Sequence, residues 1–506
     1  MKIEKMEKSI KKKSIKKNYL YNVIYQVFLL LSPLLVTPYI SRVLSADGIG
    51  QYSFTLSIAT YFTIFGALGF NYYAQREIAK HQDDKYEQSK ILYEVFICRG
   101  FAVSISIITN LLLCIFYIYG EYTNLMLILS LNIIAVAFDI TFFFQGNEEF
   151  GKIIFRNIII KIISIIAIFV FVNAEDDLNI YTFINATSTL ISNIALWGYM
   201  PKYLKKVSFK LLKPFSHLKG TLKLFIPTIA TSIYLVLDKT LIGVMITDTY
   251  VVVSDGIEVV KNYSDLENGY YEQAMKLVKM AMVIITSMGT VMIPRNSNEI
   301  KNGNIEKVKS NIYTSSKLVW MLGIPMVFGL ILVAPNMVPW FFGDGYDKCI
   351  ILISIFSFLI IIIGFSNVLG IQYLVPSGKD NIFAICLLVG AAINLTLNLI
   401  LIPYFWSIGA AISSICAELV ITLLMTFFVR KELNILKILI LSWKYLISGI
   451  IMFVCVYFVS IYLTSSIINS IVIVISGILI YGICLTILKD EFVLKYIRKI
   501  SKKMKK

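Results

Sequence analysis

The chain has 506 residues, of which 58% are hydrophobic and 15% charged, and its mean hydropathy is +0.77. That balance excludes an ordinary soluble domain and a disordered chain. The formal charge of +16 is spread over separate loops instead of one face, which excludes a nucleic-acid partner and points to the surface of a membrane.

Apolar runs recur from Tyr19 to Leu488, each long enough to cross roughly 30 Å of hydrocarbon as a helix of about 20 residues. About fourteen spans are predicted, near 19–45, 48–76, 91–119, 124–146, 153–173, 180–201, 219–247, 270–296, 312–340, 350–375, 381–404, 408–430, 441–463 and 467–488. The fold class is therefore an all-α polytopic membrane protein. The basic segment 1–18 runs into an apolar stretch of about 25 residues with no small-residue cleavage site, so the first span is expected to be retained and not removed as a signal peptide.

Between spans, Lys and Arg gather in alternate loops: 76–90, 152–156, 202–223, 295–317, 379, 430–444 and 489–506. With the N-terminal segment these hold 39 of the 47 Lys and Arg, whereas the intervening loops hold only Lys261 and Lys348. The positive-inside rule then places both termini in the cytoplasm, and the surplus charge faces anionic membrane lipids. No loop is long enough for a soluble domain. Seven isolated cysteines read as small apolar packers, and two histidines in different loops offer no metal site; no cofactor is implied.

Proline recurs early in the first span (Pro33, Pro38) and in the seventh (Pro227), and each of these spans carries ionisable residues late. Kinked helices of this kind are tolerated where they face protein or a wet cavity. The pattern suggests two halves: spans 1–6 over 19–201, a basic linker over 202–218, spans 7–12 over 219–430, two extra spans over 431–488 and a basic tail from 489 to 506.

Six basic residues lie within predicted spans: Arg42, Arg99, Lys161, Lys239, Lys276 and Lys279. Each costs about 2.5–3.5 kcal/mol at mid-membrane, so they are expected to face one another or a hydrated interior. Lys276 can pair with Glu272 one turn away, and Arg42, Lys276 and Lys279 can also snorkel to an interface. Asp238 and Lys239 are adjacent in the otherwise apolar "SIYLVLDKTLIGVMI". Their side chains diverge by about 100° and need separate surroundings. Arg99 and Lys161 lie about 12 Å from the inner ends of their spans. Asp139, Asp238 and Glu418 are either static partners of bases or sites of H+ or Na+ coupling. A predominantly basic interior implies an anionic cargo.

The segments "YISRVLSADGIGQYSFTLSI", "FFFQGNEEF", "VLDKTLIG", "GYYEQAMKLVKM", "VMIPRNS" and "GAAINLTLNLILIPYFWSIGAAISSICAE" resemble the oligosaccharide-lipid flippases of bacterial polysaccharide biosynthesis, the O-antigen and capsule branch of a superfamily that also holds multidrug exporters. The resemblance runs in order from about residue 19 to 430. It implies two six-helix lobes forming a V around a central cavity, two further helices, and alternating access for an undecaprenyl-pyrophosphate-linked repeat unit, with no enzymatic step. It also implies that Arg42 and Lys239, which match motif positions, hold the anionic head beside Arg99 and Lys161, which depth alone nominates. A polysaccharide polymerase and chain-length machinery are the implied partners. The chain departs from the family pattern in the extra residues "YVVVSDGIEVVKNYSDLE" after the seventh span. Two alternatives stay open. A cation-coupled drug exporter of the same fold would want acidic cavity residues, and a polymerase or glycosyltransferase would want outer carboxylates, for which "EDD" at 175–177 is the nearest candidate.

Overall fold

The computed structural model describes residues 28, 31–254, 257–490, 492 and 494. The basic segment 1–18 and most of the tail 489–506 lie outside the described residues, as does the side chain of Pro227. The long elements are helices, in the order α1 (31–43), α2 (Ser45–Ala67), α3 (Phe70–Lys80), α4 (Lys85–Ile115), α5 (Thr123–Phe138), α6 (Thr141–Gly146), α7 (Phe150–Phe171), α8 (Leu178–Trp197) and α9 (Leu218–Met245). A hairpin of β1 (Thr249–Ser254) and β2 (Ile257–Asn262) follows. Beyond it come α10 (Tyr263–Lys301), α11 (Ile305–Phe342), α12 (Lys348–Ser357), α13 (Leu359–Ser366), α14 (Asp380–Val429), α15 (Ile435–Ile440), α16 (Trp443–Ser460) and α17 (Ile467–Ile487). Among the described residues, ten helical segments are long and apolar enough to cross a bilayer. The chain is an all-α multi-pass membrane protein apart from the hairpin.

The predicted count of fourteen is approximate, for physical reasons visible at two breaks. Leu68 (φ 43°) and Gly69 (φ 71°) interrupt the second span between α2 and α3. A Cβ on Gly69 would lie 3.2 Å from the Phe225 backbone, so both the conformation and the close approach require glycine. The second break is inside α14. Fifty residues of straight helix would run about 75 Å, more than twice the hydrocarbon thickness. Instead Trp406 leaves helical geometry (φ 54°, ψ −129°), and the chain doubles back so closely that a Cβ on Gly409 would sit 2.5 Å from the Leu401 carbonyl oxygen. Gly409→Ala is expected to lower stability by about 1–3 kcal/mol through this overlap. Thermal unfolding in detergent reads the effect, and an unchanged midpoint would contradict the fold-back.

The chain divides into two compact units, residues 1–240 and 241–506. In the first, α5 packs on α2, α4 and α8, and α7 packs on α8. One end of this unit is closed by an aromatic core: Phe142, Phe143 and Phe144 of the "FFFQG" segment are all buried against Phe70, Ile78, Leu92 and Val95. Gly146 ends that segment where a Cβ would come within 2.9 Å of the Gln75 carbonyl oxygen. In the second unit, the C-terminal pair α16 and α17 packs along α11. The contact is fixed by Tyr481 Oη donating to the Met321 carbonyl (2.9 Å), Tyr445 Oη donating to Asp490 (2.8 Å), and the Lys317–Asp490 ion pair (3.3 Å).

The extra residues after the seventh span contain most of the antiparallel hairpin, in register Thr249↔Asn262 to Ser254↔Ile257. Runs of β-branched residues ("TYVVVS", "IEVVKN") on either side of an Asp-Gly step favour this pairing. The Tyr250 ring packs tilted against Tyr263 at 4.8 Å, and Tyr263 likewise against Trp406 at 5.2 Å, tying the hairpin to the break in α14.

Candidate functional site

Four helices of the first unit enclose a polar cleft. On α8, Asn185, Ser188, Thr189, Ser192 and Asn193 follow one another at helical spacing and form a single hydrophilic stripe on an otherwise apolar span. On α7, Arg156, Asn157 and Lys161 share a second stripe, and on α5, Asn132 and Asp139 stand two turns apart on a third face. Tyr52 of α2 completes the wall. The cleft has two adjoining parts, of about 480 Å³ beside Arg156 and Lys161 and about 300 Å³ beside Asp139, which share Leu56, Asn132, Thr189 and Asn193.

Its walls are rigidly built. The buried Arg156 donates from Nη1 to the Ser192 carbonyl (2.6 Å) and from Nε and Nη2 to Asn157 Oδ1 (3.0 and 2.6 Å), while Ser192 Oγ donates to the same Asn157 oxygen (3.2 Å). Asn193 donates to the Ala135 carbonyl (2.8 Å), locking α8 onto α5. Asn132 Oδ1, common to both parts, is a buried acceptor with no hydrogen-bond partner among the described residues. A buried acceptor left unpaired is unfavourable by about 1–3 kcal/mol, so the position suits a hydroxyl or amide donor from a bound molecule or water.

Of the residues nominated from the sequence, Lys161 and the carboxylate Asp139 line the cleft. Arg99 does not. It is 1% exposed and sits behind the wall, where Nη1 donates to the Asp139 and Val136 carbonyls and Nη2 to Asn71 Oδ1 (2.7 Å), with the guanidinium over the Phe70 and Phe142 rings at 5.7 and 5.2 Å. Asn71 in turn donates to Asp139 Oδ2 (3.2 Å), and the Thr141 amide donates to Asp139 Oδ1 (2.9 Å). Arg99 and Asp139 are thus brought together as one framework that fastens α4 to the turn between α5 and α6. Asp139 ends α5 with an extended backbone (ψ 103°), which is what presents its carbonyl to Arg99.

Asp238 is buried and Lys239 half-buried near the end of α9, and the next residue, Thr240, shares hydrogen bonds with Ser57 Oγ (2.9 Å) and Tyr61 Oη (3.0 Å) on α2. Asp238 is within electrostatic reach of Tyr61. Arg42 is exposed on α1, its Nη1 3.4 Å from the Pro38 carbonyl of its own helix. Glu418 lies half-buried on α14 in the second unit. These four do not line the cleft. The carboxylates proposed for ion coupling, Asp139, Asp238 and Glu418, therefore sit in three separate environments.

Sequence reasoning missed Arg156, assigned to a basic loop, and the α8 stripe. Spacing of i, i+3, i+4, i+7 and i+8 in "NATSTLISN" is the signal that identifies the latter.

Known proteins bear on this geometry. The chain is 26% identical over 432 residues to a candidate O-antigen transporter of Escherichia coli (strain K12), covering 83% of this chain and 98% of that one. A candidate O-antigen transporter of Shigella dysenteriae is 24% identical over 416 residues, with 81% and 99% covered. Among solved structures, the lipid II flippase MurJ in an inward closed conformation shares the fold, with a TM-score of 0.61, 16% identity, and coverage of 91% of this chain and 99% of that one. An inward-facing multidrug transporter of the MATE family also shares it, with a TM-score of 0.58, 14% identity, and coverage of 81% and 99%. Residues 15–300, more than half of the chain, match the family described as polysaccharide biosynthesis protein, and the chain belongs to that family.

Proposed function

We propose that the chain is a transporter that carries an undecaprenyl-pyrophosphate-linked oligosaccharide from the cytoplasmic to the outer leaflet of the bacterial inner membrane, by alternating exposure of its binding site. The observation that carries this reading is the polar cleft of the first unit, with Arg156 and Lys161 among a row of Asn, Ser and Thr side chains inside an apolar span bundle. Each sugar hydroxyl dragged unpaired through hydrocarbon carries a penalty of several kcal/mol, and a wall of amides and hydroxyls removes it. Fixed cations beside that wall suit a pyrophosphate. The O-antigen transporter names of the relatives and the flippase fold support the same reading.

In this reading Arg156 and Lys161 meet the anionic head, Asn132 meets a hydroxyl, and Arg99 positions the wall. Arg42 and Lys239 attract the head at other stages of the cycle. Asp139, Asp238 and Glu418 are the groups through which H+ or Na+ coupling resets the empty carrier. Both termini lie in the cytoplasm, and a polymerase with its chain-length partners receives the product outside.

The test is direct. Vesicles containing a labelled undecaprenyl-pyrophosphate oligosaccharide and the purified protein should expose the sugar to an externally added glycosidase at least about tenfold faster than protein-free vesicles. Folded protein that gives no acceleration, while accelerating efflux of a cationic drug, would replace this reading with drug export.

A further inference from the structure

Between α8 and α9 the chain crosses from one span to the next through residues 198–217, and this linker is built as a strap with an unusual division of labour. Its ends are half-buried. Tyr203, Leu204 and Leu218 pack against the aromatic core, and Tyr203 Oη donates to Glu149 (2.6–2.7 Å). Burial and the neighbouring Glu149 carboxylate hold that phenol above its usual range, so it remains a donor. Between these ends the strap is hung from α4 by its own backbone. The Lys205 amide donates to Ser89 Oγ (2.9 Å) and the Lys213 amide to Glu94 Oε1 (2.7 Å), while His217 Nε2 meets Glu94 Oε2 at 2.6 Å and His217 Nδ1 meets Tyr73 Oη at 3.0 Å.

Because main-chain amides make the attachments at Lys205 and Lys213, the side chains of the middle of the strap are turned outward. Lys205, Lys206, Lys210 and Lys213 are exposed, as are three large apolar residues, Phe209 at 81%, Leu211 at 56% and Phe215 at 60%. Leaving such groups in water is unfavourable, and a soluble surface has no use for them together. No Asp or Glu occurs between Asp177 and Asp238. The nearby Glu94 and Glu149 are already engaged. Phe215 lies edge-on to Phe101 at 6.0 Å, and Phe101, Ile105, Ile108 and Leu112 continue along α4 as an exposed apolar face of a span. The strap is therefore continuous with surface that meets acyl chains.

We infer that residues 205–216 form a docking surface for anionic phospholipid of the leaflet at that end of the spans, with Phe209, Leu211 and Phe215 entering the acyl boundary and the four lysines meeting phosphodiester headgroups. This inference requires only that the chain spans a membrane and is independent of its cargo.

The experiment uses the full-length protein in vesicles of phosphatidylcholine, with or without phosphatidylglycerol, and a photoreactive benzoylphenylalanine placed at Phe209 or at Phe215. Illumination should yield lipid adducts at both positions. Adduct yield should rise about fivefold or more with phosphatidylglycerol, the equivalent of about 1 kcal/mol, or one lysine at a charged surface. Combining Lys205→Gln, Lys206→Gln, Lys210→Gln and Lys213→Gln should remove this preference while leaving the unfolding temperature unchanged. Adducts only to protein would assign the surface to a protein partner and overturn the inference, as would lipid adducts indifferent to phosphatidylglycerol or to the four substitutions. Loss of the wild-type preference on adding free inorganic phosphate at constant ionic strength would identify a soluble-phosphate site instead, and would equally overturn it.

Discussion

Arg99→Ala is expected to destabilise the first unit by about 3 kcal/mol or more, the largest loss anticipated for any single substitution there. Three acceptors depend on this guanidinium: the Asp139 and Val136 carbonyls and Asn71 Oδ1. The first two belong to the end of α5, where the Val136 carbonyl accepts only the long cap bond from the Asp139 amide (3.3 Å) and the helix offers the Asp139 carbonyl no further turn. Arg99→Lys is expected to recover only part of the loss, because a single ammonium lacks the planar fork that spans acceptors on α5 and α3. Thermal unfolding in detergent measures both variants. If Arg99→Ala melts with the wild type, the framework role is wrong. A framework role also predicts that transport per folded molecule stays close to wild type, whereas a residue holding the cargo would lose transport at full occupancy of the fold.

Lys161→Gln is expected to act on transport itself, cutting it about tenfold at matched levels of folded protein. A charge-assisted hydrogen bond to phosphate is worth about 1.5–3 kcal/mol, and glutamine, one bond shorter, keeps a polar donor but not the charge. The flux of labelled lipid-linked sugar into the externally accessible pool is the quantity to follow. Undiminished flux would remove Lys161 from the site. Paired with Arg99→Ala, the experiment separates a cation that builds the wall from one that faces across it, although both were nominated by the same criterion of depth.

That contrast shows what a linear chain reveals. Span positions and fold class follow from apolar runs and from the basic residues between them, because both are local consequences of lipid solvation. The direction of a charge is a tertiary fact. Nη1 of Arg99 reaches carbonyls 37 and 40 residues away, where α5 ends at Asp139. No spacing rule announces such a pairing. The α8 stripe and the hairpin were legible in principle, the first as a helical period of polar residues and the second as two β-branched runs around Asp-Gly. Arg156 was obscured by proximity to a loop. Its burial depends on Asn157 and Ser192 lying on facing helices.

The base of the hairpin carries one more implication. The Tyr263 amide donates to the Asp248 carbonyl at 3.0 Å, immediately outside the paired strands, so the ends of α9 and α10 already approach before the hairpin begins. Lengthening or shortening the chain at such a point alters closure entropy only logarithmically. Natural drift can thus trade this segment for a shorter or longer one without disturbing either helix, which makes the site a tolerant graft point for an epitope that reports, in living cells, which face of the membrane it occupies.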